Sequence, residues 1–198
     1  VLLLPGVLEP KVGPAAKLCF STQPGGGVAG TAWAQQPVVM VGDSTCNLIT
    51  GATNTITLSL TTGAGSLIGT ASVAAVAGYA TFSGLNMTNA ADAKRLTATS
   101  PGLTLAVSDL FTITASTATQ MVFKTQPSGG IAGITWPTQP VIEARDAYGN
   151  KATSATGSVT LTLTTGTGTL FGTPTRNFVN GEATFSGLSL NLVGSDKV

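Results

Sequence analysis

Ala80-Thr81-Phe82-Ser83-Gly84-Leu85 occurs twice in this chain, the second time as Ala183-Thr184-Phe185-Ser186-Gly187-Leu188. The spacing of 103 residues is not confined to the hexapeptide: Phe20 falls on Phe123, and the register continues without a gap to Val198. From Lys17 on Gln120 to Arg95 on Val198, 36 of 79 aligned pairs are identical. A match of that length is duplication of a folding unit rather than shared composition. Outward from the hexapeptide, Thr22-Gln23-Pro24 recurs as Thr125-Gln126-Pro127, Trp33 as Trp136, Gln36-Pro37-Val38 as Gln139-Pro140-Val141, and Asp43 as Asp146. Phe82 and Phe185 mark the centre of the hexapeptide in each copy.

The repeated segments alternate with period two, which sends one set of side chains inward and the other outward. In Thr55-Ile56-Thr57-Leu58-Ser59-Leu60-Thr61 the apolar residues face a core and the hydroxyls face water, and the alternation returns over Val159 to Thr165. Clusters of Gly, Pro, Asn and Asp separate such runs, and no segment carries a helical apolar stripe. The pattern predicts seven strands in the first copy, near 17–22, 36–42, 55–62, 66–76, 79–85, 95–100 and 104–114. The expected architecture is all-β: two tandem antiparallel sandwiches, 17–116 and 117–198, after an extended segment 1–16.

Because Val198 aligns with Arg95, the second copy lacks its last two strands within this sequence. Either the protein continues, or an apolar strand from a neighbouring chain completes the domain. The donor expected for the second case is the opening segment, with Val1, Leu2, Leu3, Leu4, Val7 and Leu8. Its Pro5-Gly6 is similar to the Pro101-Gly102 turn between the last two strands of the first copy. The same segment also reads as the tail of a preceding repeat.

Composition narrows the function. Nine basic and eight acidic side chains leave a net charge of +1, without the field that draws in nucleic acid. Mean hydropathy is positive, at +0.36, yet no apolar run approaches the roughly 20 residues of a spanning helix, so membrane insertion is not expected. The opening segment has no basic n-region and is interrupted by Pro5-Gly6, so it is not a signal peptide as it stands.

The landmarks Phe-x-Thr-Gln-Pro-x-Gly-Gly-x-Ala-Gly, Gln-Pro-Val, Asp-x-x-Gly-Asn and Ala-Thr-Phe-Ser-Gly-Leu resemble the bacterial Ig-like (Big-type) repeats of large surface and secreted proteins. The resemblance runs from Lys17 over nearly the whole chain. It implies immunoglobulin-like sandwiches used as stalks, adhesin shafts, fibre subunits or spacers. The first copy departs from it at Asp43-Ser44-Thr45-Cys46-Asn47, where the second has Asp146-Ala147-Tyr148-Gly149-Asn150. Lys94-Arg95 stands where family members often carry an aromatic residue.

Chemistry is sparse. The chain has no histidine, which removes the commonest general base and the commonest zinc ligand. The carboxylates Glu9, Asp43, Asp92, Asp109, Glu143, Asp146, Glu182 and Asp196 form no sequence-local pair of the glycosidase kind. No catalytic residue, cofactor or metal is therefore expected. Asp43 and Asp146, with Asn47 and Asn150, fit a turn that caps backbone amides better than a calcium loop, which needs more carboxylates. The glycine-rich stretches read as turns, lacking the lysine of a phosphate loop.

Cys19 and Cys46 both lie in the first copy, and the second has Val122 and Gly149 in their places. Loss or gain of both together predicts a disulfide, contributing roughly 3 kcal/mol and implying an oxidising compartment. Trp33 and Trp136 read as core or inter-repeat residues before sugar-stacking platforms, and Asn86-Met87-Thr88 is a glycosylation sequon by pattern. Together these features predict an extracellular structural subunit of a cell-surface filament, stalk or layer. Its partners would be copies of itself or neighbouring repeats. The alternatives are an adhesin segment binding surface glycans or cell-surface proteins, and a passive spacer in a secreted enzyme.

Overall fold

A computed structural model describes residues 12–191, and every regular element among them is a β-strand. The expected donor residues Val1, Leu2, Leu3, Leu4, Val7 and Leu8 lie outside the described residues. Chain contacts divide the protein into two compact units, Val1–Thr114 and Ala115–Val198, two residues earlier than the boundary expected from the repeat.

Unit 1 contains β1 (Lys17–Thr22), β2 (Gly27–Val28), β3 (Val38–Gly42), β4 (Thr55–Thr62), β5 (Ser72–Ala74), β6 (Tyr79–Thr81), β7 (Ala93–Thr99), β8 (Ala106–Val107) and β9 (Phe111–Thr114). One sheet runs β1-β3-β6; the other runs β2-β9-β7-β4-β5, with β8 attached to β7. Pairing is antiparallel throughout except between β2 and β9. In β4, Ile56 and Leu58 are buried while Thr55, Thr57 and Ser59 are exposed, as period-two alternation requires. The outward hydroxyls form cross-strand bonds, Thr57 Oγ1 to Ser72 Oγ at 3.0 Å and Thr61 Oγ1 to Thr97 Oγ1 at 2.9 Å. Between the sheets lie Leu18, Val39, Val41, Phe82, Leu96, Phe111 and Ile113, all buried. Each such side chain contributes about 1.5–3 kcal/mol.

Three predicted strands are shorter than their apolar runs. The run 66–76 keeps only Ser72–Ala74 as strand, plus isolated bridges from Ile68 to Asn86 and from Val76 to Tyr79. Gly69 takes φ +109°, and a Cβ there would meet Gly84 O at 2.7 Å, so the chain turns where the pattern continues. The run 79–85 ends as strand at Thr81, ahead of the left-handed Gly84. The run 104–114 splits into β8 and β9, because buried Ser108 turns its hydroxyl back to accept from Leu96 N.

Unit 2 contains β10 (Gln120–Thr125), β11 (Val141–Arg145), β12 (Ser158–Thr160), β13 (Leu170–Phe171), β14 (Thr175–Asn177), β15 (Glu182–Thr184) and β16 (Ser189–Leu190). At the offset of 103, β10, β11, β14 and β15 fall residue for residue on β1, β3, β5 and β6. The irregularity between Phe20 and Thr22 reappears between Phe123 and Thr125. β12 covers three residues where β4 covers eight, which corrects the strand predicted to reach Thr165. β4 is held over Thr57–Thr62 by β7, and the position of β7 in the second copy lies past the described residues. The core of unit 2 is Ile142, Ala183, Phe185 and Leu188, with Trp136, Val159, Leu161, Leu170 and Phe178 packed against it.

Candidate functional site

Asp43 is buried at the end of β3 and collects donors from two directions. Its Oδ1 accepts from Thr45 N, Thr45 Oγ1 and Asn47 N, each at 2.9 Å, and its Oδ2 accepts from Asn47 Nδ2 at 3.0 Å. Gly13 N, thirty residues upstream, completes the set at 3.1 Å. Asp146 repeats the arrangement with Tyr148 N, Asn150 N and Asn150 Nδ2, and with Ser116 N at 3.0 Å in the place of Gly13. Each aspartate thus closes its own turn and fastens the incoming chain to its unit. The donors, led by the Asn47 side chain, hold the Asp43 carboxyl far below the usual carboxylate range. For Asp146, burial pushes the value up, and the bonds from Asn150, Ser116 and Tyr148 outweigh it, leaving it lowered.

A second repeated device has no sequence signal beyond recurrence. Gln36 Nε2 donates to Trp33 O at 2.8 Å and Leu85 O at 3.0 Å, while its Oε1 accepts from Leu85 N at 3.0 Å. Gln139 makes the same three bonds to Trp136 O and to Leu188 O and N. One amide side chain thereby ties the tryptophan loop to the end of the Ala-Thr-Phe-Ser-Gly-Leu hexapeptide.

Cys19 and Cys46 are bonded, with Cα atoms 6.3 Å apart, joining β1 to the loop after β3. Cys46 has φ +66°, a left-handed conformation, and Gly149 holds the matching position at φ +83°. The disulfide places unit 1 in an oxidising environment. Among the described residues no helix is long and apolar enough to cross a membrane, and no three His, Cys, Asp or Glu side chains are grouped to hold a metal ion.

Three further carboxylates, Asp92, Glu143 and Glu182, are tied to cations. Lys94 is fully buried, and its Nζ contacts Asp92 Oδ1, Ala64 O and Asn89 Oδ1; the bond from Lys94 lowers the Asp92 pKa. On the outward face of β10-β11-β15, Glu182 accepts from Lys124 and Lys151, which lower its pKa, and Glu143 accepts from Arg145. The matching positions in unit 1 are Tyr79, Ser21, Leu48, Met40 and Gly42, all uncharged. The two copies share an interior and differ in this face.

They differ more sharply where β7 to β9 cover unit 1. Trp33 is 3% exposed and meets Phe111 edge to face with ring centres 5.0 Å apart. Trp136 is half-buried. Leu18 is 2% exposed, whereas Met121 in the same place is 62% exposed, and Phe123, Ile131 and Ile134 are also open. A cleft of about 430 Å³ opens beside Met121, lined by Thr119, Ala144, Ala155 and Phe178 among others. This side of unit 2, whose counterparts of β7 to β9 fall past the described residues, is the candidate functional surface. Trp33 is buried and cannot stack on a sugar. In the sequon Asn86-Met87-Thr88, Met87 is fully buried and Asn86 Nδ2 donates to Gly84 O at 3.3 Å. No protein-family model matches the chain, and no curated protein matches it either.

Proposed function

We propose that this chain is an extracellular structural protein, a run of immunoglobulin-like modules that carries or spaces other parts of a cell-surface filament, stalk or layer. One observation carries the reading: both units keep the same internal bonding, aspartate cap, entering amide and glutamine clamp, while their outer faces diverge. A module selected as a spacer needs a uniform frame and a defined entry for the linker, and tolerates change on its surface. The disulfide supports export. The carboxylates Asp43, Asp92, Glu143, Asp146 and Glu182 serve as caps and ion-pair partners, which suits a frame rather than an acid–base centre.

The test is made on material from the native source. Antibody against the chain should label intact cells or the secreted fraction, and peptide mapping should recover Cys19 linked to Cys46. A reduced, intracellular chain would sink the proposal. A second reading, glycan binding, is favoured by the partial exposure of Trp136 alone. Glycan-array binding that disappears in Trp136→Ala and survives in Trp33→Phe would establish it.

A further inference from the structure

The turn between β14 and β15 has the same form as its counterpart between β5 and β6. Val179 N donates to Glu182 O at 2.8 Å and Glu182 N to Val179 O at 3.1 Å, which leaves Asn180 and Gly181 as the two central residues. Both are left-handed, at φ +50° and +76°, the turn for which an Asn-Gly pair is preferred. In unit 1 Val76 and Tyr79 make the same pair of bonds around Ala77 and Gly78, at φ +50° and +83°. The turn stands in solvent in both copies: Val76 is 77% exposed and Val179 70%. Its openness is therefore a property of the fold, shared by the copy in which β7 to β9 are present. The two flanking strands belong to different sheets, β14 with β12 and β15 with β11, so no continuous ladder braces the turn. Gly78 N also donates to Ala52 O at 3.3 Å, whereas the Gly181 amide makes no such bond among the described residues.

We propose that Asn180 is a site of spontaneous deamidation, carried by unit 2 alone because unit 1 has Ala77 in its place. The reaction needs a free asparagine amide, a following backbone nitrogen with no side chain beside it, and a backbone that can open. Asn180 meets all three. It is exposed, its side chain forms no hydrogen bond among the described residues, and Asn180-Gly181 is the one Asn-Gly pair in the sequence. The other asparagines are held or crowded. Asn47 and Asn150 are bound by Asp43 and Asp146, Asn86 by Gly84 O, Asn89 by Lys94 and Asn191 by Thr169 N. Asn54 and Asn177 precede Thr55 and Phe178, whose side chains flank the nitrogen that would attack. At Asn180 the Gly181 nitrogen gives up its proton and attacks Cγ. The N–Cγ bond forms, the Cγ–Nδ2 bond breaks and ammonia leaves. Water then opens the ring at either carbonyl, giving aspartate or isoaspartate. Aspartate keeps the backbone and tolerates the left-handed conformation. Isoaspartate runs the chain through Cβ, adding one backbone atom to a two-residue turn and drawing Val179 and Glu182 out of register. Glu182 gathers Lys124 and Lys151, so the change loosens the charged face that distinguishes unit 2. This site goes beyond the structural reading and does not rest on it.

The experiment incubates the folded 198-residue chain in mildly alkaline buffer and maps its peptides by mass at intervals. The expected result is a gain of about 1 Da on the peptide that carries Asn180, split between aspartate and isoaspartate. Asn180 converts at least ~10-fold faster than any other asparagine. Asn180→Ala, the residue that unit 1 uses at the same φ, abolishes the conversion. Hydrogen exchange at the Glu182 amide quickens at least ~10-fold in the isoaspartyl form and stays level in Asn180→Asp. A synthetic peptide of residues 177–184 supplies the rate of the unfolded sequence. A folded chain that keeps Asn180 intact while the peptide converts, or equal conversion at the other asparagines, would overturn the site. Unaltered exchange at Glu182 in the isoaspartyl form would overturn its effect on the turn. None of these outcomes bears on where the chain resides, so the structural reading stands or falls separately.

Discussion

Asp43 and Asp146 each satisfy three backbone amides and an asparagine side chain from inside the fold. Replacing either by alanine leaves buried donors unpaired, a cost of about 2–3 kcal/mol measurable in urea unfolding. Both carboxyls titrate below their unfolded value near 3.8. Their contribution is therefore complete above that value and is lost as pH falls through the folded value. Urea midpoints should stay level from about pH 7 to 5 and decline below about pH 4. The double variant Asp43→Asn and Asp146→Asn should start lower and decline less steeply. The turn was legible because Asp and Asn recur four residues apart at matched places. The bond to Gly13 or Ser116 was not, since it joins residues thirty apart and depends on where the entering chain lies. Gln36 and Gln139 stood out as repeated landmarks, but their two-way clamp became visible only with Leu85 and Leu188 beside them. Gln36→Glu removes both donations while keeping the size, and should cost about 1–3 kcal/mol.

At the scale of elements, the disulfide and the backbone around it are coupled. Cys46 holds a left-handed conformation that glycine adopts freely, and unit 2 answers the same geometry with Gly149 and no bond. Cys19→Ser with Cys46→Ser should lose about 3 kcal/mol in unit 1. Cys19→Val with Cys46→Gly, the pair unit 2 uses, should lose less by about 1 kcal/mol, because relief of the left-handed residue offsets part of the missing link. Thermal unfolding of the two variants side by side measures the difference, and equal losses would refute the coupling. The strands themselves were legible where alternation met a partner over its full length, as in β1 and β4. Alternation alone overestimated 66–76, 79–85 and 104–114, where left-handed glycines and the Ser108 hydroxyl end the ladder inside an apolar run.

At the scale of the molecule, the described residues of the two copies have unequal shares of buried apolar surface. Leu96, Phe111 and Ile113 close unit 1, while unit 2 leaves Met121 and Phe123 open. Calorimetry of the chain should show two transitions, unit 2 unfolding first, with reductant lowering only the upper one. Trp33→Ala should lower the upper transition by about 3–5 kcal/mol of stability, the cost of emptying a packed aromatic site. Trp136→Ala should cost the lower one less, since Trp136 is only partly buried. Equal effects would show that the open side of unit 2 is covered in solution.

The duplication, the strand class and the cysteine pairing were determined by the sequence alone, because recurrence, period-two alternation and paired substitution are properties of the one-dimensional string. Tertiary structure decided which glutamine bridges two loops and where each ladder stops. Those depend on groups brought together from thirty to fifty residues apart, and the identity of such groups is invisible until the sheets have packed.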